Sequence, residues 1–79
     1  MFIVASEYEG YYFFNKKENA IKKAKEFYNK ELERFARDWY NGDIEEAKKE
    51  IDYDDEIKEI ENGKYNCDWV KIEEIETED

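Results

Sequence analysis

Hydrophobic positions are spaced differently in successive stretches of the chain. Phe2-Ile3-Val4-Ala5 and Tyr11-Tyr12-Phe13-Phe14 are short β-branched or aromatic runs separated by Glu9-Gly10, which predicts a β-hairpin over residues 2–14. Neither run alternates cleanly, so one face is expected to meet helices and the other to be partly covered or left as a contact surface. Further on, Ile21, Ala24, Tyr28, Leu32, Phe35 and Trp39 recur three or four residues apart, and Ala20, Phe27 and Ala36 widen the stripe. That period predicts one long helix from about Lys16 to Tyr40. Asn15 is its expected N-cap, Glu18 completes a capping box, and Asn41-Gly42 is its stop.

A second helix is predicted from Asp43, with Glu46 at the capping-box position and Ile44, Ala47 and Ile51 on one face. The apolar spacing slips around Tyr53-Asp54-Asp55, and Ile57 and Ile60 then resume a short helical face up to Asn62-Gly63. Asn-Gly is also a hairpin signal, so residues 56–61 read as helix or strand, with the spacing of the two isoleucines favouring helix. From Tyr65 the pattern turns strand-like. Tyr65, Cys67 and Trp69 share one face, Val70 and Ile72 the other, and a final strand is predicted over about Cys67–Ile75 with residues 76–79 frayed. The expected architecture is a single α+β domain over residues 1–79. A small antiparallel three-stranded sheet (the N-terminal hairpin plus the C-terminal strand) packs on a long helix and one or two shorter ones, in the order ββαα(α)β.

Composition changes this picture in two ways. With 46% charged residues in 79 the chain carries a warning of disorder, but fourteen aromatic side chains at regular spacing supply material for a core. The absence of His and the single Cys67 exclude a His-based triad, a His-ligated zinc site, a disulfide within the chain and a four-thiolate metal site. The first residues lack a basic n-region, no run approaches a membrane span, and one cysteine suits a reducing compartment, so a cytoplasmic location is expected.

Charge is unevenly spread. Residues 1–40 hold 8 basic and 7 acidic side chains, whereas residues 41–79 hold 5 basic and 16 acidic, within a net charge of -10. Direct contact with nucleic acid or an anionic membrane is therefore disfavoured. On helices, Glu46 and Glu50 would form one pair of stacked carboxylates, and Asp52, Glu56 and Glu59 another row. Such rows imitate the charge and coarse spacing of nucleic-acid phosphates and would be drawn to a protein groove lined with Lys and Arg. The plainer reading is that these acids only keep a small protein in solution. Tyr53, set between Asp52, Asp54, Asp55 and Glu56, is the aromatic expected to be exposed as an anchor, while Trp39 is expected in the core and Tyr40 partly exposed.

Enzymatic and metal readings find little support. An EF-hand starting at Asp52 would need glycine at 57 and glutamate at 63, where the chain has Ile57 and Gly63. A two-carboxylate hydrolase needs a cleft that holds its acids at fixed separation, and Gly10, Gly42 and Gly63 are isolated turn residues rather than a phosphate loop. No catalytic residue, cofactor or metal is expected. Four consecutive aromatics at Tyr11–Phe14 cannot all enter one core, so two of them should be exposed or covered by the final strand or a second subunit.

In size, acidity, lack of His and Pro, and single-domain α+β layout, the chain resembles the small acidic inhibitors encoded by phages and mobile elements, which include anti-CRISPR proteins and other DNA mimics. The likeness is to a class and carries no motif. It implies a non-enzymatic, stoichiometric inhibitor that occupies the nucleic-acid site of a host nuclease or other nucleic-acid-binding protein, in the host cytoplasm. The partner-binding residues expected on that basis are Glu46, Glu50, Asp52, Tyr53, Asp54, Asp55, Glu56 and Glu59. The alternative is a structural or adaptor module that forms a homodimer through the surplus aromatics of the hairpin.

Overall fold

The structure is a computed structural model that describes residues 1–75; the fraying expected for residues 76–79 lies outside the described residues. The predicted hairpin forms from β1 (Phe2–Ser6) and β2 (Gly10–Phe14), with Phe2 opposite Phe14 and Ser6 opposite Gly10. Helix α1 (Lys17–Trp39) follows, then α2 (Ile44–Ile51) and α3 (Tyr53–Glu61). The chain closes with β3 (Tyr65–Asn66) and β4 (Val70–Glu74). All strand pairs are antiparallel, in the order β2-β1-β4-β3. The fold is thus α+β, with four strands where three were expected.

The extra strand arises because the alternation at Tyr65, Cys67 and Trp69 spans a turn. The Cys67 N–H donates to the Val70 carbonyl at 3.1 Å, and the Trp69 N–H donates to Cys67 Sγ at 3.3 Å. The chain reverses there, so Tyr65 lies opposite Ile72 on the same sheet face instead of the other one.

Local signals set the helix boundaries with one exception. Asn15 does not cap α1: the cap position is Lys16, extended in backbone and without a side-chain bond to the helix. At the other end the N–H groups of Tyr40 and Gly42 both donate to the Ala36 carbonyl at 2.8 Å, a closure for which Gly42 takes φ +86°. The Asp43 carboxylate accepts from the Glu46 N–H at 3.3 Å and starts α2. The slip read at Tyr53 is a break between two helices, where Asp52 takes the left-handed conformation at φ 51° and its carbonyl accepts from the Glu56 N–H to begin α3. Residues 56–61 are helical.

One sheet face carries Phe2, Val4, Val70 and Ile72, buried against Ala20, Ala24, Phe27 and Tyr28 of α1 and Ile60 of α3. A second, smaller core of Leu32, Ala36 and Ala47 joins the later half of α1 to α2. Helix α1 is roughly 35 Å long, while a five-residue strand spans roughly 17 Å. The helix therefore overhangs the sheet, α2 packs on the overhang, and the molecule measures 49 × 22 × 17 Å. Among the described residues no helix covers the opposite sheet face. Register places Ile3, Ala5, Tyr11, Phe13, Lys71 and Glu73 on it, with Tyr11 73% and Phe13 60% exposed.

Candidate acidic interface

Two short helices and the left-handed link at Asp52 display the acidic stretch. Asp54, Asp55 and Glu56 occupy the first turn of α3, where the unpaired amides of a helix N-terminus favour negative charge. Clustered acids are tolerated there for that reason. Glu50, Asp52, Asp54, Asp55 and Glu59 are all exposed, and none of them takes part in an ion pair among the described residues. The junction of α2 and α3 forms an open cleft of about 530 Å³, lined by Glu45, Asp52, Tyr53, Asp54 and Asp55 together with Lys48 and Lys49.

The remaining residues expected at this interface are placed differently. Glu46 is exposed but reaches Lys49 at 3.4 Å, and Glu45 approaches Lys48 at 4.0 Å, so two lysines interrupt the carboxylates along α2. Glu56 is half-buried and accepts the Tyr65 hydroxyl, which breaks the row expected from Asp52 through Glu59. Tyr53 is not an exposed anchor. Its ring lies 6.0 Å from that of Tyr28, its hydroxyl donates to Asn29 Oδ1 at 2.6 Å, and Lys48 Nζ sits 4.7 Å from its ring centre. The exposed aromatic near the overhang is instead Trp39, at 75% exposure, because α2 packs on the side of α1 that carries Leu32, Phe35 and Ala36; Tyr40 is half-buried and packs edge-on to Phe35.

Beside α3 lies an arrangement the periodicity did not announce. Tyr28 is almost fully buried, at 2% exposure, and Trp69 and Tyr65 lean on it with ring centres 5.1 and 6.3 Å away. Burial pushes the Tyr28 hydroxyl up from its ordinary value, and the Glu56 carboxylate adds to that. The Tyr65 hydroxyl is also pushed up, first by burial and then by the neighbouring Cys67 thiol and its hydrogen bond to Glu56. Both phenols stay protonated, and that of Tyr65 donates to Glu56. Tyr65 and Trp69 carried a signal as alternating aromatics, but a strand reading sent them to the wrong face.

Among the described residues no group of three or more Cys, Asp or Glu is placed to hold a metal ion, and no helix is long and apolar enough to cross a membrane. The chain matches no protein-family model, no curated protein and no solved structure.

Proposed function

We propose that this chain is a non-enzymatic binding protein whose α2–α3 carboxylates enter an electropositive groove that otherwise holds nucleic acid, so that it inhibits a nuclease or other nucleic-acid-binding protein by charge mimicry. The observation that supports this reading is the set of five exposed carboxylates at Glu50, Asp52, Asp54, Asp55 and Glu59, none of which is ion-paired among the described residues. Unneutralised charge on helical scaffolds keeps its attraction for an external cationic surface, and displaced counterions strengthen that attraction as they do for DNA. The class likeness to phage-encoded inhibitors makes a host defence nuclease the target of choice, reached in the host cytoplasm.

Capture of the tagged protein's partner from bacterial lysate tests this directly. A nucleic-acid-binding protein should be retained, then released by excess duplex DNA or added salt. The variant carrying Glu50→Gln, Asp52→Asn, Asp54→Asn, Asp55→Asn and Glu59→Gln should keep its fold and lose capture. Retention unchanged in that variant would sink the proposal.

A second reading has its own observation: Tyr11 and Phe13 stand exposed on edge strand β2, on a sheet face that no helix covers among the described residues. On this reading the protein is a homodimer whose association is indifferent to salt, and sedimentation should show Tyr11→Ser or Phe13→Ser to be monomeric. A parent protein that sediments as a monomer at high concentration removes it.

A further inference from the structure

We infer that the notch between α3 and the β3–β4 turn is a binding site for a quaternary or methylated ammonium group. The notch is an open depression of about 270 Å³ lined by Tyr28, Ile51, Glu56, Tyr65, Asp68 and Trp69, with Cys67 at the turn. Ligand pockets for drug-sized molecules start at roughly 300 Å³, so this space suits a headgroup rather than a whole large ligand. Its rings are differently tilted: Trp69 lies at 51° and Tyr65 at 74° to Tyr28. Aromatic faces and edges are thereby offered from more than one direction, with Tyr28 as the floor. Glu56 and Asp68 add negative charge beside them.

This combination selects for a cation with an apolar surface. An anion meets two carboxylates, and a purely apolar group would strip them of water without replacing their hydration. A methylated ammonium satisfies both demands, since its methyl groups pack on the rings while its diffuse charge meets their negative faces and the carboxylates. A comparison within the molecule points the same way. The chain lays its own cations over several other rings: Arg34 over Tyr8 at 4.3 Å, Lys48 over Tyr53 at 4.7 Å, and Lys23 over Phe27 at 5.5 Å. Among the described residues no such cation covers Tyr28, Tyr65 or Trp69. These three rings, with Glu56 and Asp68 beside them, are thus free to receive an external cation.

The site uses Glu56 of α3 but none of the five exposed carboxylates that carry the proposed inhibitory function, and its test needs no partner protein. Titration of the full chain with choline, followed in amide NMR spectra, should give saturable shifts at millimolar ligand, centred on Glu56 and residues 65–69. The neutral tert-butyl isostere of choline, dimethylbutanol, should give none. Glu56→Gln retains an acceptor for the Tyr65 hydroxyl and so keeps the fold, but should weaken choline binding about tenfold through loss of the charged contact. Equal shifts from both ligands, no saturable shift, undiminished binding by Glu56→Gln, or shifts centred on the α2–α3 junction would each overturn the assignment.

Discussion

Burial raises the Glu31 carboxyl above its ordinary range, although Arg34 beside it at 2.7 Å pulls it down, and Glu7 and Glu9 push it further up. Arg34 also approaches Glu9 at 4.0 Å and stacks on Tyr8, so one guanidinium ties the hairpin turn to α1 and cannot attend to Glu31 alone. The sign of the resulting pH effect is fixed. A carboxyl whose folded pKa lies above its unfolded one adds stability that is fully present below the unfolded value and lost as pH rises through the folded value. Ionised Glu31 therefore opposes folding at neutral pH. Glu31→Gln should melt higher than the parent protein at neutral pH, and the two melting temperatures should converge as pH falls below the usual carboxylate range. A gap of constant size across that range would assign the effect to packing instead. Gly63 illustrates a different constraint at the same scale, since it sits at φ +78° with a would-be Cβ only 2.6 Å from Lys17 Cε. Asn-Gly was ambiguous in sequence because both a helix stop and a hairpin turn use that conformation.

Helix α1 is the backbone of the fold and the least well finished element at its start. Lys16 holds the extended geometry of an N-cap but has no acceptor to offer the free amides, and its positive charge faces the positive end of the helix dipole. Lys16→Asp should supply both, raising stability by about 1 kcal/mol in denaturant unfolding; an unchanged midpoint would mean that water already serves the amides. The capping-box pattern Asn15–Glu18 was misleading by one residue, a shift that periodicity cannot detect because both registers leave the apolar stripe in place. At Asp43 the same kind of signal was read correctly, since the cap there is confined by Gly42 immediately before it. The β3–β4 hairpin was missed for a related reason. A two-residue strand and a three-residue turn preserve the alternation of Tyr65, Cys67 and Trp69, although the chain direction reverses within it.

At the scale of the whole molecule, a net charge of -10 on 79 residues makes self-repulsion a global term. The ion pairs set against it are mostly exposed, Lys25–Glu61 at 2.7 Å among them, and such pairs contribute little each. Raising NaCl from about 10 mM to about 100 mM shortens the screening length from about 30 Å to about 10 Å. Repulsion between α2–α3 carboxylates is then relieved more than the contact pairs are weakened. The melting temperature should rise by several degrees over this range, roughly what 1 kcal/mol brings to a domain of this size. The variant with five carboxylates neutralised should show a smaller rise. A melting temperature that falls with salt would show that the ion pairs outweigh the repulsion.

Sequence alone determined what depends on neighbours within a turn or two of chain. The 3.6-residue stripe of α1, the stop at Asn41-Gly42, the cap at Asp43 and the concentration of acid in residues 43–61 are of this kind, because period, backbone conformation and charge are local properties. The tertiary structure decided which way the residues at element junctions face. Trp39 continues the stripe yet stands in solvent, because α1 outruns both the sheet and the side that α2 covers. Tyr53 is surrounded by acids in sequence yet packs inward, because the left-handed turn at Asp52 rotates α3 to set that ring beside Tyr28. Glu56 leaves the acidic row for the Tyr65 hydroxyl only because the β3–β4 hairpin brings residue 65 against α3. Each of these outcomes rests on contacts between segments distant in sequence, and the spacing of apolar residues carries no information about those.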